Sequence, residues 1–338
     1  MNRLPSFCAG ILLLALSGPA LGWSPDGHQL VGSVADKLLA GHPAKPQVDS
    51  ILGFDLGDAA RWLDCVRNVV RHTDGTFEYS PDPNRPGFSV PCRSFETPAE
   101  KARMEDYVRR NWSNCVYKLG HGCHETYHFA DVAVQHGRYD RSFAGTGRND
   151  IVSTIKAAIA VLKDAPAPAP FSIADKKEAL FLLAHVLGDI HQPLHVGSLY
   201  LDSRGNRLNP DGVSGVDLES ETAGGNFLRD EKSNLHSEWD APPMDLGHTA
   251  SPELVSAAMA VAGSPGPLDD WPAAWASESI QASQTAFEGL TFSKHGAENW
   301  AMKVADGSVY GQTREKLQRE QIAKAGARLA EVLKAIWP

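Results

Sequence analysis

The sequence predicts a mainly α protein, a single multi-helix domain with long irregular loops and room for a short β-hairpin. Three observations carry this expectation. Apolar residues recur at the spacing of an amphipathic helix through most of the chain. Gly, Pro, Asp, Asn and Ser concentrate in two stretches, 72–96 and 198–234, which read as loops. No repeat of solenoid period is present, and the 316 residues after position 22 (338 minus 22) are enough for one large core.

Taken in order, the chain opens on a leader. Arg3 gives a positive start, Ile11, Leu12, Leu13, Leu14 and Leu16 supply a short apolar core, and Ala20-Leu21-Gly22 is a small-x-small cleavage site. Residues 1–22 are therefore expected to be a signal peptide, with Trp23 the first residue of a secreted or periplasmic protein. The apolar run falls short of the roughly 18 residues of a spanning helix, and no later segment reaches that length. No lipoprotein-type small-residue box precedes Cys8.

Behind Ser24-Pro25, residues Leu30, Val31, Val34, Leu38 and Leu39 share one helix face, with Pro at a tolerated first-turn position. Similar patterns predict helices over 56–71, 97–118, 148–163, 173–190, 267–288 and 312–336. The PAPAP run at 166–170 is a stiff connection between two of them. The second long loop, 198–234, lies between two groups of candidate ligands and is expected to border the active site.

The formal charge is −9, and loss of Arg3 with the leader takes it to −10. Binding that rests on many Lys and Arg contacts to phosphate is excluded by that balance, so an anionic substrate must be held locally. Four cysteines remain after the leader, Cys65, Cys92, Cys115 and Cys123. An even number in an oxidising compartment implies two disulfides with three possible pairings, of which Cys115 with Cys123 and Cys65 with Cys92 is the one expected here.

The strongest chemical motif is HVLGDIHQPLH, residues 185–195. His185 and Asp189 are four apart, so on a helix both reach one ion, and Gln192-Pro193 then ends the helix and brings His195 round from another direction. His236 and Asp240 in NLHSEWD repeat the spacing. Imidazole nitrogen with carboxylate oxygen suits zinc. One such pair is commonplace on a helix surface; two pairs and a neighbouring histidine are not. The run His124-Glu125-Thr126-Tyr127-His128 matches the zincin pattern, which needs a helix. Gly120, Gly122 and Cys123 before it, and Val132 and Val134 after it, favour an extended segment, which leaves His124 and Glu125 as surface residues.

In combination, the mature start WSPDGH, WLDCVR at 62–67, YHFAD at 127–131, HVLGDIHQPLH, GGN and NLHSEWD, in that order, resemble the S1/P1 nuclease family of secreted zinc enzymes, related in fold to zinc phospholipase C. Residues 250–338 match only as helices. The resemblance implies three zinc ions. One would be held by Asp64, His128 and His185, with Asp189 also reaching it. A second would take His195, His236 and Asp240. The third would use His28, Asp189, and both the free amine and carbonyl oxygen of Trp23, so that processing creates the site. Three zinc ions bring six positive charges and three aspartates remove three, leaving about three to attract a phosphodiester.

The resemblance also implies catalysis by a water whose pKa zinc lowers from ~15.7 towards ~7, on single-stranded DNA and RNA and on nucleotides, releasing 5′-phosphorylated products, with 3′-nucleotidase activity. Asp64 would orient that water. Arg67, three residues on along the same helix face, would hold the phosphoryl oxygens. Phe129 and Asp131 match positions where an aromatic ring stacks on an unpaired base and a carboxylate accepts from its edge. Asn226, behind two glycines, would contact phosphate. Asn111-Trp-Ser is an N-glycosylation sequon, placed within a helix and not expected to be used. A monomer without membrane attachment is expected. The alternatives are a zinc phospholipase C acting on phospholipid head groups, and a zinc-sequestering protein without catalysis.

Overall fold

The computed structural model describes residues 23–84, 89–115, 121–211, 220–296 and 299–338. The expected leader, positions 116–118 of the expected helix 97–118 and positions 212–219 of the second long loop lie outside the described residues.

The fold is mainly helical. The first helix, α1 (Pro25–Leu39), starts at the expected proline and buries Leu30, Val31, Val34 and Leu39. A helix the apolar spacing did not predict, α2 (Ala44–Leu52), follows and stops at Gly53, whose φ of 67° suits a residue without Cβ. The expected helix 56–71 is broken into α3 (Leu56–Ala59), α4 (Trp62–Cys65), a 3-10 turn over Val66–Asn68 and strand β1 (Val69–Arg71). Asp55 caps α3, and the valines beyond Cys65 join a hairpin with β2 (Phe77–Tyr79) instead of continuing the helix.

Helix α5 (Pro98–Arg110) is shorter than expected because Asn111 ends it. Its side-chain amide donates to Tyr107 O and Ser172 O, and its Oδ1 accepts from Tyr127 Oη and Ser172 N. That sequon asparagine is fully buried, so its amide has no room for a glycan. Helix α6 (Ile151–Leu162) begins after the Asp150 cap, and α7 (Lys176–Asp189) after the Asp175 cap. Then come α8 (Leu235–Asp240), α9 (Pro252–Met259), α10 (Trp271–Ala286) and the long α11 (Gly307–Ile336), which Asp306 caps five residues ahead of the expected start. Between α10 and α11 the chain forms a hairpin, β6 (Leu290–His295) against β7 (Asn299–Val304), where only helices were expected. Its buried positions Leu290, Trp300 and Met302 follow the period of two.

Helix α7 is the spine. Every residue from Glu178 to Asp189 is buried, and a helix enclosed on all sides must be wrapped by others. Helices α1, α2, α3, α4, α6 and α11 pack around it. Gly32 lets α1 approach α3 closely, since a Cβ there would lie 2.2 Å from Leu56 O. A second apolar cluster of Leu194, Leu199, Leu228, Trp239, Phe287 and Trp300 joins the hairpin to the segments around α8. Strand β5 (Leu228–Arg229) adds to β7 in parallel, and Trp300 N donates to Phe227 O at 2.9 Å. The turn at Gly224–Asn226 is thereby anchored to the far hairpin.

Candidate metal centre

Helix ends and one-turn helices deliver the polar side chains to a common point. Trp23 lies fully buried, its indole Nε1 donating to Gly188 O at 2.9 Å, and Ser24 N donates to Asp240 O at 2.8 Å. These bonds seat the first turn of α1, which presents His28. Asp64 projects from α4, where Trp62 stacks flat on Phe181 of α7 with ring centroids 4.9 Å apart and the next residue, Cys65, is bridged to Cys92. His128 closes a 3-10 helix over Cys123–His128 that begins at the Cys115–Cys123 disulfide and is held by the Tyr127–Asn111 bond. His185 and Asp189 stand one turn apart on α7. Proline 193 ends that direction, and a short 3-10 turn carries His195; the parallel pair β3 (Val132–Ala133) and β4 (Gly197–Ser198) fixes it against the His128 segment. His236 and Asp240 stand one turn apart on α8.

Three groups of donor atoms result: His28, Asp64 and His185; His128, His185 and Asp189; His195, His236 and Asp240. All are buried, and within each group the donor atoms lie within 4.8 Å of one another, a spacing one ion can span. The first two groups share His185. Asp189 also faces both, with Oδ1 3.3 Å from His28 Nε2, and Oδ2 3.0 Å from His128 Nδ1 and 3.1 Å from His185 Nε2. His28 and His185 stack at 3.7 Å.

The protonation of these rings is constrained from outside. His185 Nδ1 is 2.7 Å from Ala60 O, His195 Nδ1 is 2.8 Å from His128 O, and His236 Nδ1 is 2.7 Å from Gly224 O. A carbonyl only accepts, so each Nδ1 carries the proton and in the neutral ring each Nε2 offers a lone pair. His185 Nε2 is 3.1 Å from His128 Nδ1, which also lies 3.0 Å from Asp189 Oδ2 and can give its proton to either. Yet His236 Nε2 and His195 Nε2 are 3.0 Å apart. Opposed lone pairs repel unless a cation lies between them. Both oxygens of Asp64, Oδ1 of Asp189 and both nitrogens of His28 are buried without a hydrogen-bond partner. His28 Nε2 and Asp189 Oδ1 are near each other but lack hydrogen-bond geometry. Each such atom costs about 1–3 kcal/mol if left unsatisfied; a metal would satisfy the carboxylate oxygens and one nitrogen of the His28 ring, since a neutral imidazole offers a single lone pair. Nitrogen and oxygen donors of this kind fit zinc.

Burial lowers His28 and holds His128 down at about 4. Burial acts on His185 in the same sense but is outweighed by Asp189 and Asp64, which raise it. The Asp189 carboxyl is held well below the usual range: burial opposes this, and the surrounding His185, His195 and His28 prevail. Asp240 goes the other way, pushed well above that range by burial and by Asp189 and Asp64, against the bond from Gln192 and the field of Arg67.

Arg67 sits in the 3-10 turn after α4, so it shares no continuous helix with Asp64. Its charge reaches Asp240, Glu125 and His124. Phe129 is half-buried, immediately after His128. Asp131 is buried, its backbone fastened by Gly145 O and Tyr200 Oη. Asn226 is half-buried, its amide donating to Ala223 O at 2.8 Å. The 123–128 segment is a 3-10 helix and not extended. His124 is not at the surface as expected; it is buried beside Tyr107 and Trp112, with burial lowering it to about 4. It belongs to none of the donor groups among the described residues. Glu125 is half-buried and closes the turn by accepting from Gly122 N, with His121 Nδ1 at 2.9 Å. In a 3-10 helix positions i and i+4 do not share a face, so the zincin arrangement is not formed.

Sequence reasoning passed over Gln192, which is wholly buried and donates from Nε2 to Asp240 Oδ1 at 2.7 Å. An amide next to the helix-ending Pro193, inside a ligand motif, was the available signal. His191 in the same motif turns away, 2.9 Å from Arg328 Nη1.

With this geometry in view, the sequence model of the S1/P1 Nuclease family matches residues 23–338. The chain belongs to the S1/P1 nuclease family. It is a hydrolase acting on phosphodiester bonds, and nucleic acids are the substrates its family implies. Among curated relatives it is similar to Endonuclease 4 of Arabidopsis thaliana, 24% identical over 98% of this chain and 94% of that protein. Endonuclease 5 is 22% identical over 97% and 94%. Endonuclease 1 is 23% identical over 68% of this chain and 57% of the relative. For this S1/P1 nuclease one disulfide follows Asp64 directly and the other begins the 3-10 helix that ends at His128, and no helix among the described residues is long and apolar enough to cross a membrane.

Proposed function

We propose that the protein is a secreted or periplasmic, monomeric nuclease that holds three zinc ions and cleaves single-stranded DNA and RNA. It breaks the bond from phosphorus to the 3′ oxygen and leaves 5′-phosphates; on 3′-nucleotides it acts as a nucleotidase. The observation that carries this reading is the facing of the Nε2 atoms of His195 and His236 at 3.0 Å, with both Nδ1 atoms on backbone carbonyls, beside a second, Asp189-centred group of buried donors. The bound zinc would supply a water activated near neutral pH and positive charge for the phosphoryl oxygens.

The ligand roles are those the resemblance implies. Asp64, His128, His185 and Asp189 hold one ion, His195, His236 and Asp240 a second, and His28, Asp189 and the amine and carbonyl of Trp23 the third. Asp64, whose oxygens have no protein partner, accepts from the attacking water and aligns it with phosphorus. Arg67 takes the phosphoryl oxygens as their charge grows. Phe129 stacks on an unpaired base, Asp131 accepts from its edge, and Asn226 contacts phosphate. Cleavage of the leader after Gly22 would free the Trp23 amine.

The test is metal analysis and N-terminal sequencing of the exported protein, combined with release of acid-soluble nucleotides from RNA and denatured DNA. Three zinc per chain, Trp23 first and nucleotide release are expected. Hydrolysis of phosphatidylcholine without nucleotide release would establish the phospholipase alternative, and tight zinc with neither activity the storage one.

A further inference from the structure

We propose that Gln192 is a positioning residue that sets the metal affinity of the His195–His236–Asp240 group by fixing the Asp240 carboxylate. The proposal rests on the metal reading above and goes beyond it to a residue that is not itself a ligand.

The orientation of the Gln192 amide follows from its partners. Leu194 N is a donor and lies 2.6 Å from Gln192 Oε1, so that atom must be the carbonyl oxygen. The other end is then the NH2, and it donates to Asp240 Oδ1 at 2.7 Å. Oδ1 is also the oxygen turned towards the imidazole pair, 3.6 Å from His236 Nε2 and 4.0 Å from His195 Nε2. Gln192 has no exposed surface, and its own rotamer is pinned by the Pro193 turn that delivers His195. One residue therefore ties the turn carrying one histidine to the carboxylate that completes the group.

The tie extends further. The backbone of Asp240 accepts from Ser24 N at 2.8 Å, so the same residue that Gln192 orients also receives the segment leading into α1 and His28. A carboxylate released from Gln192 could rotate towards water or away from the imidazoles, and the group would lose its anionic ligand. Partners of this kind shift metal affinity by about 10- to 100-fold.

The experiment titrates metal-free mature protein with Zn2+ against a chromophoric chelator, and with Co2+ followed by its visible absorption, for wild type, Gln192→Glu and Gln192→Met. Gln192→Glu keeps size and the acceptor for Leu194 N but opposes an oxygen to Asp240 Oδ1, so it reports on positioning with little change in packing. In that variant one of the three ions is expected to bind about 10- to 100-fold more weakly, with the other two and the circular dichroism unchanged. Gln192→Met should show the same selective loss. Should Gln192→Met fail to fold, Gln192→Glu decides alone. Wild type binding fewer than three ions would overturn the metal reading and this inference with it. Wild type binding three, with Gln192→Glu matching it or weakened equally at all sites, would overturn the inference alone.

Discussion

His195 and His236 point their Nε2 atoms at each other across 3.0 Å while both Nδ1 atoms are committed to backbone carbonyls. Neither ring can turn to relieve the contact without giving up its carbonyl, so the pair is built to receive a cation. Removing that cation should cost stability. A ligand at a hundred times its Kd contributes about 2.7 kcal/mol, so chelation should lower the melting temperature by several degrees, and added zinc should restore it. An unchanged melting curve after exhaustive chelation would contradict the built-to-receive reading.

Asp64→Asn should abolish nuclease activity while leaving the fold intact. The side chain is 5% exposed and neither oxygen has a protein hydrogen-bond partner, so an amide of the same shape fits. Losing an anionic acceptor for a proton of the attacking water should reduce kcat by about 10²- to 10⁴-fold. Steady-state kinetics on denatured DNA, read beside circular dichroism, checks this; near-normal turnover would remove Asp64 from the water-orienting role.

Gly188→Ala should disturb the metal centre from behind. A Cβ there would stand 2.8 Å from His28 Nδ1, with the Trp23 indole 3.5 Å away, so the ring facing Asp189 must move. The expected result is one zinc fewer per chain by elemental analysis, in a protein that still folds.

His124 gives the enzyme a pH-dependent stability. It titrates at about 4 in the folded chain, against an ordinary value of 6.5, because burial disfavours its charged form. Between those values the unfolded chain binds the extra proton, so stability from this residue is intact above about pH 6.5 and falls as the pH drops towards 4. Denaturant midpoints measured over that range should show a shallower acid slope in His124→Phe; identical slopes would refute the assignment.

Arg110 and Glu178 form the ion pair with the strongest structural stake. Glu178 is 1% exposed, and both its oxygens accept from Arg110 Nη2, at 2.6 and 2.8 Å. Arg110→Met strands that carboxylate in the core and should cost about 3–5 kcal/mol, measured by urea unfolding. A loss below 1 kcal/mol would show that the Ala174 N–H, which donates to Glu178 Oε2 at 2.8 Å, and Arg103 at 3.8 Å suffice to hold the carboxylate.

Much of this was legible in the sequence, for reasons that differ by element. His185 with Asp189, and His236 with Asp240, announce themselves because four residues is one helical turn. The caps Asp150 and Asp175 set helix starts that apolar spacing placed two or three residues early. The hairpin 290–304 was obscured because its period-two pattern lies between two helical ones and Gly296 gives the only strong turn mark. Burial of His124 was beyond reach, since it depends on Tyr107 and Trp112 meeting it in space; the place of Gln192 beside Pro193 marked it as a residue of interest, but its partner Asp240, 48 residues on, was not legible. The break in 56–71 was hidden because Val69 and Val70, which fit a helical apolar spacing, pair instead with Tyr79 and Glu78 in a hairpin.

Helix α7 carries two donors on a stretch with no solvent-facing residue. Substitutions that reshape the protein's interior there, at Phe181 or Leu182 for instance, act at once on stability and on the placement of His185 and Asp189. Thermostability and turnover are inherited together along that helix, and variation that tunes one without the other has to be found on the periphery, in the hairpins and the surface loops.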